Sequence, residues 1–324
     1  MTATSSFRNS IHQDILIFKY MKAITYFKAL ADETRLRLLH LLVNHELSVG
    51  EIVTVLEMGQ SRVSRHLKIL AEADLVEHRR DGLWVFYRAV EDGPGREFIN
   101  AVSYLMREED ALRDDLRRAE EVMRERAQRI KQFFNNIAAD WSKLSQQVLG
   151  DLTIADEVLS RMPSPCQVAA DLGCGTGELL EALMTKANTV IGVDSSPKML
   201  ELAEKRLHTE LASLRMGSLE HLPLRDAEAD FIVISLVLHH LPKPSEGLRE
   251  AWRVLAQGGQ LVVVEFRKHE NEFMRSKFGD RWLGFTDEDM QSWLSSAGFY
   301  TRETAAFSAN RGMKVGLYLA EKAK

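Results

Sequence analysis

A short glycine-rich segment carries the clearest chemical signal in this sequence. The stretch Gln167-Val-Ala-Ala-Asp-Leu-Gly-Cys-Gly-Thr-Gly combines an apolar run, a turn and the start of a helical pattern. Its acid is Asp171, and its glycines are Gly173, Gly175 and Gly177. Glycines in such a turn let the backbone pass close to a bound ligand. The segment therefore predicts a strand, a ligand-binding turn and a helix, in that order.

A second acid indicates the kind of ligand. The apolar run Thr189-Val-Ile-Gly-Val ends at Asp194, and an acid at the tip of a second strand accepts hydrogen bonds from both hydroxyls of a ribose. A dinucleotide site would need a glycine at position 178, where Glu178 stands, and this carboxylate would repel a pyrophosphate. Asp171 suits a cationic amine instead. These residues predict an adenosine with an amino-acid tail, namely S-adenosylmethionine or its product S-adenosylhomocysteine.

Two different patterns along the chain must position these residues. From about residue 136 onward, apolar strand-like runs alternate with helical segments, which is typical of a parallel α/β sheet. Before that, helical periodicity is followed by a pair of strands. We expect a short tail at 1–20, a small α+β domain at 21–105, a linker helix at 106–135 and an α/β domain at 136–324.

The first domain has the order helix, turn, helix and hairpin. Ser48 and Glu51 form a capping-box pattern at the start of the second helix. A further helix begins near Gln60 after a turn. Asp81-Gly82 lies between two alternating runs and is a two-residue hairpin signal. This order predicts a winged helix-turn-helix.

The helix that begins near Gln60 carries cations and polar side chains but no acid between residues 60 and 68. Such a surface contacts the base edges and phosphates of DNA. Acids and bases nearly balance over residues 21–92, so the cationic stripe is narrow, and a dimer on two half-sites would supply the remaining affinity. The residues expected at double-stranded operator DNA are Gln60, Ser61, Arg62, Ser64, Arg65, His66 and Lys68 on the helix, and Arg79 and Arg80 on the wing.

Three motifs of this domain occur together: Phe27-Lys-Ala-Leu-Ala-Asp-Glu-Thr-Arg-Leu-Arg-Leu-Leu, Ser61-Arg-Val-Ser-Arg-His-Leu-Lys-Ile-Leu and the Asp81-Gly82 wing. Over residues 20–95 they closely resemble the arsenic-repressor (ArsR-type) family, which implies a homodimeric winged-helix repressor. Metal-sensing members carry two cysteines where this chain has Ser48 and Gly50. Because a hydroxyl and a hydrogen cannot replace thiolate ligands, a thiophilic metal at that position is not the expected inducer.

Four motifs of the second domain also occur together: Asp171-Leu-Gly-Cys-Gly-Thr-Gly, Gly192-Val-Asp-Ser-Ser-Pro-Lys-Met-Leu, Ala229-Asp-Phe-Ile-Val-Ile-Ser-Leu-Val-Leu-His-His-Leu and Glu250-Ala-Trp-Arg-Val-Leu-Ala-Gln-Gly-Gly-Gln-Leu. They resemble class I methyltransferases, most closely those of the quinone-biosynthesis type. The resemblance implies a doubly wound, Rossmann-like sheet of seven strands. Its last strand, Met313–Glu321, is expected to run antiparallel.

Carried over position by position, the same resemblance implies a set of cofactor contacts. Asp171 and the glycines would hold the methionine end and Asp194 the ribose, with further residues near the adenine. Ser218 stands where the family often has an acid for the adenine amine, so adenine binding would rest on backbone groups and apolar contact. The full expected set is Asp171, Gly173, Gly175, Gly177, Asp194, Ser195, Met199, Ser218, Leu219 and Ser235.

His240 is the expected catalytic residue if methyl transfer occurs, because it follows the fourth strand, on the family's substrate side. An alternative, in which His239 and His240 only satisfy local hydrogen bonds, stays open. A metal ion on these two residues and His269 would need an open geometry that a sequence does not show, and none is expected. The remaining candidates are His239, Glu265 and His269 as bases, and Trp252 and Trp282 as walls of the site.

The linker helix is dense in charge, with acid-to-base pairs four residues apart that stabilise a helix. Its apolar stripe favours neither of two interpretations, a solvated connecting helix or a helix that pairs in a dimer and transmits a signal. The stripe consists of Leu105, Leu112, Leu116, Ala119, Met123, Ala127 and Ile130.

Composition narrows the class of protein. A net charge of -5 means that any contact with nucleic acid must come from a local basic surface. The two cysteines are too few for a disulfide framework or a zinc cluster, so the cytoplasm is the expected compartment. No long apolar run indicates a secretory signal or a membrane span, and no membrane partner is expected.

Two functions from different classes remain after these observations. The first is a transcriptional regulator, expected to be a repressor, whose methyltransferase-like domain senses S-adenosylmethionine or S-adenosylhomocysteine. It resembles known fusions of the two domain types, some of which control methionine-cycle genes. The second is an active methyltransferase with a small-molecule acceptor and an autoregulatory DNA-binding domain. A dinucleotide oxidoreductase is disfavoured by Glu178.

Overall fold

The computed structural model describes residues 22–106, 109–207 and 211–322. The tail expected at 1–20 lies outside them. The chain divides into two compact units, and the boundary falls between Arg126 and Ala127. No helix within the three described ranges has the length and apolar character needed to cross a bilayer.

The first unit combines helices with a three-stranded antiparallel sheet in the order β1-β3-β2. Its strands are β1 (Leu47–Ser48), β2 (Val76–Asp81) and β3 (Trp84–Ala89). Its helices are α1 (22–30), α2 (Glu33–Asn44), α3 (Val49–Leu56), α4 (Gln60–Glu72), α5 (Gly93–Met106) and the first part of α6 (Asp110–Ile137). The order confirms the predicted helix-turn-helix and hairpin, while α5 was not foreseen as a separate helix.

Capping and apolar spacing explain the two helices of the helix-turn-helix. The Ser48 hydroxyl accepts the N–H of Glu51 at 3.3 Å, and the Glu51 carboxylate accepts the N–H of Ser48 at 2.8 Å. This is the predicted capping box. On α4 the buried residues recur every three or four positions, which directs one face to the core. These residues are Val63, Leu67 and Leu70.

The hairpin loop lies one residue later than the sequence pattern indicated. Asp81 pairs with Trp84, so the two loop residues are Gly82 and Leu83 rather than Asp81 and Gly82. Gly82 takes a positive φ of 57°. A glycine at the first loop position with a positive φ fits the tight turns whose twist matches that of paired strands.

The first half of α6 packs on the core of the winged-helix unit. Ala119 is fully buried in that core, and Leu116 and Met123 are partly buried against it. In addition, the Arg37 guanidinium on α2 donates two hydrogen bonds of 2.7 Å to the carboxylate of Asp115. The stripe, for which the sequence left open a solvated or a dimerising helix, therefore has a partner within the same chain along residues 116–123.

The second unit is built on a seven-stranded sheet in the order β6-β5-β4-β7-β8-β10-β9. The strands are β4 (Cys166–Leu172), β5 (Ala187–Asp194), β6 (Ala212–Met216), β7 (Ala229–Ser235), β8 (Leu255–Phe266), β9 (Phe299–Ser308) and β10 (Lys314–Lys322). The first five are parallel, and β10 runs antiparallel to both of its neighbours. The predicted sheet is confirmed, with its last strand shifted by one residue.

Both faces of this sheet are covered by apolar packing. Along β4, for example, Ala169 joins one buried cluster and Ala170 joins the other. The strand order reverses at β4, which lies between β5 and β7, and ligands of open α/β sheets bind in the crevice at such a point. The helices are α7 (Trp141–Leu149), α8 (Ile154–Arg161), α9 (Glu178–Leu183), α10 (Pro197–Leu207), α11 (Pro244–Val254), α12 (Phe273–Phe278) and α13 (Asp287–Ser296).

Replacing Arg37 with methionine should destabilise the first unit strongly. The change leaves Asp115, which is only 1% exposed, as a buried carboxylate without its charge partner, and such a loss costs about 3–5 kcal/mol. The matched control is Arg117→Met on α6, which breaks an exposed ion pair with Asp114, also on α6. It should cost at most about 1 kcal/mol. Urea unfolding of both variants measures the difference, and equal losses would contradict the role given to the buried pair.

Candidate functional site

The glycine turn that follows β4 is hydrogen-bonded to the end of β5. The N–H of Gly173 donates to the carbonyl oxygen of Val193 at 2.7 Å. The N–H groups of Gly175 and Ser196 donate to the two carboxylate oxygens of Asp194, at 2.9 and 2.8 Å. Burial raises the pKa of Asp194, while these N–H groups act in the opposite direction. Asp194 therefore shapes the turn, in addition to standing where a ribose is expected.

Close approach explains why two of the turn positions are glycine. Gly173 has a φ of +89°, and a Cβ there would lie 2.3 Å from a methyl carbon of Val237. Gly177 has a φ of +81° at the start of α9, and its Cβ would lie 3.1 Å from that of Ala203 on α10. The turn can therefore follow this path only with residues that lack a Cβ at both positions.

Asp171 lies at the carboxyl end of β4 and is 2% exposed. Among the atoms that the structure describes, none forms a hydrogen bond with its Oδ1. Burial, together with the charge of Asp194, raises the pKa of Asp171 to about 7. A buried carboxylate oxygen without a partner is costly. The position therefore fits a ligand that brings a cationic amine, such as the amino-acid tail of the predicted cofactor.

Aromatic residues from the end of α6 and the start of α7 lie beside this turn. The Phe134 ring is 5.7 Å from the ring of Trp141 and 4.9 Å from that of His240. The Trp141 indole nitrogen would be 3.7 Å from a Cβ at Gly175, the closest atom to that position. These rings connect the glycine turn with the predicted catalytic histidine, and the sequence reasoning missed both Phe134 and Trp141.

Polar residues of the same segment bind the turn region as well. The Asn135 side-chain oxygen accepts a hydrogen bond from the Ser196 hydroxyl at 2.6 Å. The Ser142 hydroxyl donates to the carboxylate of Glu178. The local signal that could have indicated this role was the run Phe133-Phe-Asn-Asn, which interrupts the charge pattern of the predicted linker helix.

The other predicted cofactor residues differ in how accessible their side chains are. Ser195 is exposed just after β5, and Ser235 is half-buried at the end of β7, so both lie at the sheet edge that holds the turn. Ser218 is half-buried after β6. Met199 and Leu219 are buried, at 2% and 5% exposure. The Leu219 side chain belongs to the apolar core, so only its backbone is left for a ligand.

Both cysteines of the chain are buried in the second unit. Cys174 lies within the glycine turn, where burial and the charges of Asp171 and Asp194 raise the pKa of its thiol well above the ordinary value. Burial and Asp230 raise the pKa of the Cys166 thiol to about 11. Both thiols are therefore protonated near neutral pH.

His239 lies in a short 3₁₀ turn after β7 and is almost completely buried. Its Nδ1 is 2.7 Å from Oε1 of Glu265 on β8, and its Nε2 is 3.6 Å from Oδ1 of Asp280. Burial lowers the pKa of His239, but the two carboxylates outweigh this effect and raise it to about 9. The Glu265 carboxylate is thus engaged by the ring of His239 and by the backbone N–H groups of His239 and Phe266.

His240, the predicted catalytic residue, is half-buried beside His239, with the ring centres 4.1 Å apart. Burial and the charge of His239 lower the pKa of His240 well below its ordinary value, so its imidazole is neutral.

His269 lies apart from this cluster, against Phe266. Of the expected walls, Trp252 lies against the Lys322 ammonium. The Trp282 side chain is part of the core, although its backbone N–H donates to the carbonyl oxygen of His239.

In the first unit, α4 presents most of the predicted DNA contacts on its exposed side. The exposed residues are Gln60, Ser61, Arg62, Ser64, Arg65 and Lys68. His66 is the exception. It is half-buried, and its Nδ1 lies 3.6 Å from a carboxylate oxygen of Asp32, the residue that caps α2. His66 therefore lies against the start of α2, and its ring is less accessible than the other predicted contacts.

The two wing arginines also differ. Arg80 is exposed on β2. The Arg79 guanidinium donates to both carboxylate oxygens of Glu46, at 2.8 and 2.9 Å, and lies 4.3 Å from the ring centre of Phe86. Arg79 is thus bound within the unit, to a partner 33 residues away that a local charge pattern does not reveal.

Comparison with protein families agrees with this two-part geometry. Residues 32–78 match the arsR family of bacterial regulatory proteins, and residues 170–263 match a methyltransferase domain. The chain carries an arsR-family helix-turn-helix and a methyltransferase domain. The second match agrees with the predicted cofactor, S-adenosylmethionine or S-adenosylhomocysteine.

Curated relatives match parts of the chain. Over 105 residues it is 40% identical to an uncharacterized 37.1 kDa protein in transposon TN4556 of Streptomyces fradiae, covering 31% of this chain and 30% of that protein. Over 146 residues it is 32% identical to the ubiquinone/menaquinone biosynthesis C-methyltransferase UbiE of Rubrivivax gelatinosus, covering 44% of this chain and 58% of that protein. The chain thus spans less than two thirds of each of these two relatives.

Solved structures show the same fold at low identity. A chain from the complex between the Haloferax volcanii Trm112 methyltransferase activator and the putative methyltransferase has a TM-score of 0.52 at 19% identity, covering 59% of this chain and 98% of that chain. The cyclase SpnF has a TM-score of 0.51 at 19% identity, covering 60% of this chain and 95% of that one. Because a cyclase shares the fold, the fold alone does not determine the reaction.

Cofactor affinity should depend on the ionisation of Asp171. Its pKa is about 7, so below that value the carboxyl is protonated and loses its attraction for an ammonium group. Affinity for S-adenosylhomocysteine should fall by up to about tenfold per pH unit on the acid side and level off on the alkaline side. Calorimetric titration across a pH series measures this dependence. Asp171→Asn should bind more weakly with a flat profile, and exposed Asp151→Asn should behave like the parent. An unchanged profile in the Asp171 variant would contradict the assignment.

Affinity for DNA should depend on Arg65, an exposed cation on α4. If its guanidinium neutralises one phosphate, Arg65→Ala weakens binding and reduces the slope of log affinity against log salt by about 0.9. Fluorescence anisotropy with a duplex from the upstream region of the chain's own operon, over a salt series, measures both quantities. The control is Arg113→Ala, an exposed ion-paired arginine on α6, which should leave the slope unchanged. Equal slopes for both variants would exclude the contact.

Proposed function

We propose that this protein is a DNA-binding transcriptional regulator whose methyltransferase-like domain binds S-adenosylmethionine or S-adenosylhomocysteine as its effector. One observation carries the proposal. Within the described residues, buried Asp171 has a carboxylate oxygen without a hydrogen-bond partner, and it stands at a glycine turn on the same chain as an exposed cationic recognition helix. The protein would act as a repressor of genes for methionine and methyl-group metabolism, because their product or substrate is the ligand it senses.

The winged-helix unit supports a signal that originates elsewhere in the chain. Ser48 and Gly50 stand at the positions where metal-sensing members of the resembled family have cysteines. The Ser48 hydroxyl is already used to cap α3, and Gly50 has no side chain. Since soft metals need thiolate ligands, these positions do not supply a metal sensor, and the glycine turn becomes the best candidate for the effector site.

A homodimer on a two-fold symmetric operator fits the charge distribution. The cations on the exposed side of α4 are Arg62, Arg65 and Lys68, and the wing adds Arg80. So few phosphate contacts give modest affinity for one chain. Two recognition helices on half-sites one helical turn apart would contact about twice as many phosphates and would read a palindrome. Double-stranded operator DNA and a second copy of this chain are therefore the proposed partners.

Control by a metabolite requires that the ligand bind the DNA-free and DNA-bound forms with different affinity. By linkage, any factor by which the ligand weakens DNA binding is also the factor by which DNA weakens ligand binding. Such coupling is typically worth about 5-fold to 150-fold in affinity. The two candidate ligands differ by a methyl group and a positive charge on sulfur, so a site that distinguishes them could read their ratio.

The decisive experiment titrates DNA binding with each ligand separately. We expect one of S-adenosylmethionine and S-adenosylhomocysteine to change affinity for the upstream duplex by about fivefold or more. Adenosine, which lacks the amino-acid tail, should have little effect, and Asp171→Asn should not respond although it still binds DNA. If neither ligand changes the affinity of the parent protein, the effector role is wrong.

An active methyltransferase is the second candidate, favoured by the position of His240. Its neutral imidazole adjoins Phe134, whose ring also contacts Trp141 beside the glycine turn. A small-molecule acceptor bound there could lose a proton to His240 as it receives the methyl group. One matched relative is named as a C-methyltransferase of quinone biosynthesis, which makes an enolate-forming ring a reasonable acceptor class. A parallel assay of methyl loss from S-adenosylmethionine, during the titration above, separates sensing from turnover.

A further inference from the structure

A cluster of potential metal ligands lies at the carboxyl edge of the central sheet. His239 and His240 follow β7, and Asp280 follows α12. One nitrogen of each histidine and one oxygen of Asp280 lie within 4.8 Å of one another. All three residues belong to the second unit. The spacing of the donors is that of a compact coordination site, whereas the sequence led us to expect no metal.

The tautomer of His239 is set by Glu265. The carboxylate lies 2.7 Å from Nδ1, so Nδ1 carries the hydrogen and Nε2 is directed toward Asp280. Metal-binding histidines commonly donate their other ring N–H to a carboxylate in this way, which orients the ring and makes the ligand more basic. Two ligand atoms of a tetrahedral zinc ion are about 3.4 Å apart, close to the 3.6 Å between Nε2 and the Asp280 oxygen.

Asp280 and His240 each have buried polar atoms without a hydrogen-bond partner among the described residues. Asp280 is 3% exposed, and over the described ranges neither of its carboxylate oxygens has a hydrogen bond. The Nδ1 of His240 is buried and likewise lacks a partner there, whereas the ring does bond to the backbone of Gly279. That bond must come from Nε2, since a ring N–H donates to a carbonyl. Nδ1 of His240 therefore has a lone pair available for a ligand.

A proton on Nε2 of His239 is the alternative to a metal ion between His239 and Asp280. In that case the carboxylates of Glu265 and Asp280 outnumber the imidazolium by one charge. Arg275 also acts on Asp280 electrostatically, but it is paired with Glu272 at 3.1 Å. A divalent cation bound by two neutral imidazoles would balance both carboxylates. Titration with Zn²⁺ distinguishes these two occupants.

We propose that His239, His240 and Asp280 bind a divalent transition-metal ion of the zinc class, with Glu265 orienting His239. Imidazole nitrogens with one carboxylate suit zinc or iron(II), and three protein ligands leave a coordination position open. Phe134 contacts His240 and Trp141, so the site adjoins the glycine turn. The open position would accept an anionic oxygen or sulfur atom of a small molecule. The proposal does not depend on the regulatory role, because binding of the metal is measured by itself.

The test uses the full chain after treatment with a chelator. Calorimetric titration with Zn²⁺ should give one bound ion per chain, and Co²⁺ should give the visible absorption of a tetrahedral site. Asp280→Asn and His240→Gln should each weaken Zn²⁺ binding by about tenfold or more. The control is His221→Ala, an exposed histidine outside the cluster, which should bind as the parent does.

Thermal melting of the metal-free variants shows whether each one is folded. Should Asp280→Asn fail to fold, His240→Gln, at a half-buried position, decides the question alone. The proposal is overturned if the parent binds no stoichiometric ion, or if both cluster variants bind Zn²⁺ as tightly as His221→Ala does. The second result would mean adventitious binding at surface residues.

Discussion

A buried negative charge at the end of β4 is the constraint on which the second unit depends. Asp171 and Asp194 end two adjacent parallel strands, so two carboxylates converge in a region of low dielectric. Backbone N–H groups offset the charge of Asp194, whereas the described residues leave Oδ1 of Asp171 without such compensation. A cationic ligand relieves this cost. We expect the glycines and the aromatic residues beside them to contact the same ligand, because they would bring backbone and rings close to it without adding charge.

Sequence patterns that involve residues close together in the chain predicted most of the fold. The capping box of α3, the apolar face of α4 and the alternating strands of the sheet depend on neighbours within a few residues, and these were correct. The hairpin loop was misplaced by one residue, because Asp-Gly is compatible with more than one register. The site was harder to predict. Glu265 and Asp280 meet His239 from 26 and 41 residues away in the chain, and only the folded sheet brings such residues together.

Partnerships over long sequence distances also engage some of the predicted DNA contacts. Arg79 is held by Glu46 and Phe86, and His66 is held near Asp32. The same applies to α6, for which the sequence left open a solvated connecting helix or a helix that pairs in a dimer. Its Asp115 is buried against Arg37, and its Arg126 pairs with Glu51, the residue that closes the capping box. Charge patterns thus record folding contacts as well as solvent exposure.

The state of the two cysteines has a practical consequence. Alkylating reagents and oxidants attack the thiolate form, and both thiols here are buried and protonated near neutral pH. The native protein therefore presents an inert background for maleimide chemistry. A single cysteine introduced on the exposed side of α4 or on the wing could carry a fluorophore without removing Cys166 or Cys174, so that the core of the sheet and the glycine turn keep their native packing.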